Sequence, residues 1–184
     1  MFEEVSDQYY LRALDPKDLD SIYNFMNLVP ANTNGFQNPD AGKSLADWES
    51  EVLPRLLKEA AGIDLKPNRV PQTYYFLWEA KPEGEDQILA LFKLRHHLTP
   101  ELKQGGGHVG YFVHPDFRSQ GLGTRGLELL LPVAAHLVPE DHLYAAMEVD
   151  NRASQALFAH FGAEIWQQTE QDVFMRIDLS PFRE

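Results

Sequence analysis

From residue 9 the chain reads Tyr-Tyr-Leu-Arg-Ala-Leu, a loose alternation that predicts a half-buried strand. Asp15-Pro16 follows. A capping side chain and then a proline with φ already fixed predict a helix to about Asn27. Periodicity then stops. Residues 29–43 (VPANTNGFQNPDAGK) are rich in Asn, Gly and Pro and predict a long loop, a candidate wall for a substrate pocket. Ser44-Leu-Ala-Asp47 has capping-box spacing and opens a second helix that Gly62 ends. Two runs dense in aromatic and β-forming residues, TYYFLWEA (73–80) and QILALFKL (87–94), flank the polar PEGED and predict a hairpin. HVGYFV (108–113) is a further strand. A helix runs from Gly121 to about Val138, kinked by Pro132. LYAAMEV (143–149) is a strand, residues 151–161 form a helix closed by Gly162, and 164–179 fold back as a hairpin near QTEQD.

Strand, two helices, a three-strand meander, helix, strand, helix and hairpin make an α/β (α+β) chain. Their natural packing is a mixed, mostly antiparallel central sheet with helices on both faces. At 184 residues and 43% apolar content, with no linker, repeat or low-complexity tract, the expectation is a single domain over 1–184.

Charge and composition narrow the function. A net charge of −12 repels phosphate backbones, so no nucleic acid is expected as a partner. Cys is absent, which removes disulfides, thiolate metal sites and an acyl-cysteine intermediate, and fits a reducing cytoplasm. No metal site is expected. MFEEVSDQYY is acidic and lacks the apolar stretch of a signal peptide, and LELLLPVAAHLV is too short and interrupted to span a membrane.

The chemistry concentrates in FRSQGLGTRG (117–126). Its Gly121-x-Gly123-x-x-Gly126 has dinucleotide-turn spacing, but seven residues separate Val113 from Gly121, too many for that tight turn. Glu140 and Asp141 precede the next strand where a dinucleotide fold needs an acid at its end. No Gly-Lys-Ser/Thr of a Walker loop occurs. The turn still suits a diphosphate. Its glycines let backbone approach closely, N–H groups from about Ser119 to Thr124 converge, and Arg118 adds a full charge to the helix N-terminus.

Val109-Gly-Tyr-Phe-Val-His-Pro115 followed by Arg118-Ser-Gln-Gly-Leu-Gly-Thr124 resembles the acetyl-CoA motif of the GNAT N-acetyltransferases. Asn151-Arg-Ala-Ser-Gln-Ala-Leu-Phe-Ala-His-Phe-Gly162 is similar to that family's second motif. Leu94-Arg-His-His-Leu98 leading into Gly105-Gly-Gly-His-Val-Gly110 further resembles a bacterial subgroup of uncharacterised predicted acetyltransferases. The likeness covers roughly residues 88–165, which would be the acetyl-CoA half, with 9–87 supplying the acceptor side. It implies a parallel pair, 108–113 and 143–149, that splays to admit the pantetheine arm. It further implies that Tyr111 and Val113 offer backbone groups to that arm. Arg118, Ser119, Gln120, Gly121, Leu122, Gly123 and Thr124 would hold the pyrophosphate. Asn151 would reach the arm from the other side, and Ser154 would line the adenosine or pantetheine edge.

The implied reaction moves an acetyl group from acetyl-CoA to a primary amine, on a small molecule or a peptide, by direct attack in a ternary complex. The amine must lose a proton, for which Glu148 and His108 are the candidates, Glu148 ahead, with His96 behind. The N–H of Phe112 or Val113 is placed to stabilise the oxyanion. Many relatives carry a Tyr proton donor seven residues after the motif's Asn, and this chain has Phe158 there. Tyr111, Tyr144 or water then protonates the thiolate, or it leaves unaided. The same departure leaves open a non-catalytic module that binds or senses acyl-CoA. Aromatics in the final hairpin offer a surface for a homodimer.

Overall fold

The computed structural model describes residues 8–183. The acidic start of the chain, residues 1–7, lies outside them. β1 (Tyr9–Ala13) leads through a 3-10 turn, capped by Asp15 accepting from Lys17 N–H, into α1 (Leu19–Met26). The loop after α1 carries a short hairpin, β2 (Asn32–Thr33) and β3 (Phe36–Gln37). Its turn residues Asn34 and Gly35 have φ of 48° and 81°, the paired left-handed geometry that Asn-Gly favours. That dipeptide in TNGF was the signal for a hairpin where periodicity alone indicated only loop.

The Ser44–Asp47 capping box forms as its spacing predicts and starts α2 (Leu45–Asp47). One π-helical turn, Trp48–Val52, then passes into α3 (Leu53–Ala61), which Gly62 ends at φ 72°. β4 (Gln72–Glu79), β5 (Gln87–Arg95) and β6 (Val109–Val113) form the meander, with the small α4 (Pro100–Lys103) before β6. α5 (Leu122–Leu137) retains Pro132 within it. β7 (His142–Glu148), α6 (Arg152–His160), β8 (Glu164–Gln168) and β9 (Asp172–Asp178) complete the order.

The strands make two antiparallel sheets, β1-β4-β5-β6 and β7-β9-β8, beside the small β2-β3 hairpin. β5 is central and apolar on both faces because both are covered. One face (Leu89, Phe92, Leu94) packs under α5 with Leu127, Leu130 and Leu131. The other (Ile88, Leu91) meets α1 and the Trp48–Val52 turn through Ile22, Phe25, Trp48 and Val52. Gly126 of α5 lies on the Phe92 ring, so a Cβ there would collide with it. That glycine brings helix and sheet together.

β6 and β7, the expected splayed parallel pair, form no ladder at all. The isolated bridge among the described residues joins Gly107, two residues ahead of β6, to Ala145 of β7 in the antiparallel sense. In the final hairpin the aromatics turn inward. Trp166 packs edge-on against Tyr144 and Phe174, at 5.6 and 6.1 Å between centroids, leaving Ile165 as the exposed apolar residue. No helix among the described residues is long and apolar enough to cross a membrane.

Candidate active site

His108 joins the two sheets. Its C=O accepts from Arg95 N–H on β5 (2.8 Å), and its own N–H donates to Tyr144 O on β7 (2.7 Å). The ring continues the joint. Nδ1 accepts from Tyr144 N–H at 3.0 Å, so Nε2 carries the proton and donates to Glu140 Oε2 at 2.9 Å. The residue is fully buried. Burial lowers its pKa, outweighing the Glu140 hydrogen bond that raises it, so the ring is neutral near pH 7. Glu140 also accepts from Leu98 N–H at 2.7 Å. With both nitrogens engaged in the joint, His108 does not face the cavity described below, and it is poorly placed to take a proton from a substrate.

Beyond this joint the strands part. Arg95 N–H to His108 O and His114 N–H to Leu89 O fix the phase of the β5–β6 ladder. Gly110 and Phe112 therefore point their backbone groups at β5, while Val109, Tyr111 and Val113 point theirs into the gap. Of the two oxyanion donors expected from sequence, Phe112 is engaged by β5 and Val113 opens on the gap. Val113 O accepts from Arg118 Nε at 3.3 Å, and the guanidinium lies 5.2 Å from the Phe112 ring.

The glycine turn closes one end. Ser119 and Gly121 have φ of 60° and 76°. The first bond into α5 runs from Arg125 N–H to Gly121 O at 2.9 Å, so the N–H groups ahead of it stand at an open helix N-terminus. No atom lies within 4 Å of where a Cβ on Gly121 would sit, whereas at Gly123 it would meet Leu157 Cδ1 at 2.7 Å and Tyr111 Cε2 at 3.4 Å. Gly121 thus faces open space, and Gly123 packs against α6. Asn151 caps α6 by accepting from Ser154 N–H (3.2 Å), and buried Ser154 shares a 2.7 Å hydrogen bond with Tyr111 OH across the gap.

Glycine turn, gap and hairpin line one cavity of about 2020 Å³. Tyr111, Val113, Arg118, Ser119 and Gly121–Thr124 line one end, and Asn151 and Ser154 the α6 side. Gln120 and His108 do not line it. Glu148 lines it as the exposed last residue of β7, directly across the ladder from Asp172, with Oε1 3.8 Å from the Cβ position of Gly35. The 29–43 loop, through its hairpin, therefore forms the opposite wall. Phe158 is buried in the core and also borders the cavity. Of the two tyrosines that stand in for it in the sequence reading, Tyr111 lines the cavity and Tyr144 does not.

The dimensions suit an extended nucleotide thioester. A diphosphate fits the open N-terminus beside Arg118, and an arm with amide groups fits the free edge of β6. Solved structures share this architecture. RimL, a ribosomal L7/L12 alpha-N-protein acetyltransferase in complex with coenzyme A, superposes with a TM-score of 0.66 at 18% identity, covering 96% of this chain and 98% of that one. Spermidine N-acetyltransferase from Vibrio cholerae, in complex with CoA and spermine, gives 0.66 at 18% identity over 97% and 100% of the two chains. The structure of yncA from Salmonella typhimurium with its cofactor acetyl-CoA gives 0.62 at 16% identity over 95% of each. At such identities the likeness is one of fold. No curated protein sequence matches the chain. The family model of the acetyltransferase (GNAT) domain matches residues 8–164, most of the chain, and with a fold and a glycine turn that agree with it, this protein belongs to that family.

Proposed function

We propose that this protein transfers an acetyl group from acetyl-CoA to a primary amine by direct attack in a ternary complex. The observation that carries the reading is the single cavity running from the open Gly121 turn, along the free edge of β6, to Glu148. The CoA, acetyl-CoA and amine complexes of similar folds support it.

Arg118 and the turn N–H groups hold the diphosphate, and the Tyr111 and Val113 backbone groups hold the arm. An alkylammonium, with a pKa near ~10, must lose a proton before it attacks. Glu148 takes that proton, and Asp172 beside it helps attract the cation. Val113 N–H stabilises the oxyanion. His108 acts on the reaction through geometry, by fixing where the gap begins. Tyr111, whose pKa burial raises, stays protonated beside the arm and is the phenol available to the departing thiolate.

Phe158, buried where many relatives place their proton donor, favours one second reading, a module that binds acyl-CoA without chemistry. Calorimetric titration with acetyl-CoA, CoA and NAD, followed by thiol release against an amine panel, tests both. Acetyl-CoA and CoA bind and NAD binds far more weakly; tighter binding of NAD refutes the site assignment. Thiol release with an amine establishes the enzyme, and binding without release against every amine establishes the sensor.

A further inference from the structure

The cavity as a whole reverses the charge of the molecule. The chain has 28 Asp and Glu against 16 Lys and Arg, yet the cavity is lined by eight Lys and Arg and six Asp and Glu. Four of those acids are already matched, Glu51 by Lys43 at 3.7 Å. Asp40 and Glu59 take Arg55 at 2.6 and 2.7 Å, Asp40 also takes Lys43 at 3.4 Å, and Asp64 takes Lys58 at 2.8 Å.

Besides Lys66 and, at the diphosphate end, Arg118, three lining cations have no carboxylate of their own among the described residues. On β5, the face that begins with buried Leu91 continues as Lys93 and Arg95, where the core opens into the cavity. Lys93 Nζ stands 4.5 Å from the Phe36 centroid and 5.0 Å from that of Tyr74, and it donates to Gln37 O. Arg95 Nη1 donates to Gly107 O at 2.7 Å. The Arg69 side chain makes no hydrogen bond or ion pair with other described residues, its backbone N–H alone donating to Lys66 O. Burial and the adjacent Arg95 push Lys93 down to about 8, and burial followed by Arg69 lowers Arg95, so these charges are held together at mutual cost. An anion among them would relieve that cost.

We propose that the acceptor amine carries an anionic group, a carboxylate in the first instance, seated on Lys93, Arg95 and Arg69 while its ammonium faces Glu148 and Asp172. The β2–β3 hairpin lies between the two poles, with Gly35 against Glu148 and Gln37 O against Lys93. One substrate therefore spans a cationic and an anionic wall a few residues apart. A free polyamine offers nothing to the cationic wall and is repelled by it.

The proposal rests on the acetyltransferase reading and is tested in two arms. In the first, thiol release is compared for matched pairs: phenylalanine and phenethylamine, tryptophan and tryptamine, glycylglycine and its amide. Phosphoethanolamine and taurine against ethanolamine distinguish phosphate or sulfonate from carboxylate. The anionic member of a pair has roughly 10- to 100-fold higher kcat/KM, the scale of hydrogen bonds to charged groups. Arg95→Gln and Lys93→Gln erase that preference through KM and leave acetyl-CoA affinity unchanged. Equal or better turnover of the neutralised members, or a preference that survives both substitutions, overturns the proposal.

The second arm needs no turnover. Lys93 of the unmodified protein is labelled with an amine-reactive ester and read by peptide mass spectrometry, with N-acetylphenylalanine or N-acetylphenethylamine present. Protection by the carboxylate alone is expected; equal protection or none overturns the anion site. Failure of acetyl-CoA to bind would remove the acetyltransferase reading separately, since the labelling result stands without it.

Discussion

The two side chains that the sequence offers as bases, Glu148 ahead of His108, occupy opposite environments. His108 is fully buried with its ring fixed by Tyr144 N–H and Glu140, whereas Glu148 ends β7 exposed on the cavity. A base must reach its proton, and only Glu148 of the pair has the reach. Glu148→Gln keeps size and hydrogen bonding but removes the proton acceptor. It should lower kcat by roughly 10²-fold while acetyl-CoA affinity, measured by titration, stays near that of the parent. Parental turnover across the pH profile would make Glu148 a structural strand end. The residue types at both positions were legible in the sequence. Their environments were not, because burial of His108 depends on β7 arriving from more than thirty residues away, at Tyr144.

At the scale of elements, the three glycines of one motif do three jobs, and substitution separates them. Gly121 faces open space at φ 76°, so Gly121→Val meets backbone strain of about 1–3 kcal/mol and places a branched side chain in the diphosphate path. Affinity for CoA should collapse while circular dichroism keeps its form. Gly123→Val meets Leu157 Cδ1 at 2.7 Å, and Gly126→Ala meets the Phe92 ring, so both add a packing clash inside the core and should lower the melting temperature further than the strain at Gly121 does. Equal thermal stability of all three variants would contradict this division. Local rules predicted most elements: the Ser44 box, the Gly62 stop and the β4–β5 hairpin all formed where their residues placed them. Two features escaped. The β2–β3 hairpin was hidden because four strand residues carry no periodicity, although Asn34-Gly35 marked its turn. The alternation that turns Val113 and not Phe112 to the gap is a matter of register, which only pairing with β5 decides.

At the scale of the molecule, the site exists because two sheets are joined at one end and open at the other, so the strength of the joint should govern the whole. His108 has a lowered pKa in the folded state, from burial, against an ordinary value near ~6.5 when unfolded. Below that value the unfolded chain binds a proton that the folded ring resists, so stability is complete above about pH 6.5 and is lost as pH falls through the lower folded value. Glu140 adds to the same trend at more acid pH. Burial alone would raise its pKa, but hydrogen bonds from His108 and from Leu98 N–H bring it below its ordinary value, and that stability too disappears on protonation. The net charge of −12 acts in the opposite sense, because self-repulsion weakens as pH approaches the pI near 4.9. A fall in melting temperature as pH drops below about 6.5 therefore points to histidines held neutral by burial, His108 at the joint and His96 beside Thr73, and not to general charge. His108→Gln should cost about 1–3 kcal/mol at pH 8, where it loses a buried hydrogen bond, and should make the slope below about pH 6.5 shallower, leaving the part that His96 contributes. Parent and variant melting curves of equal slope would place the acid-sensitive group elsewhere. Because the joint fixes where the gap opens, the variant's affinity for acetyl-CoA should also weaken at pH 8, with Glu148 still in place.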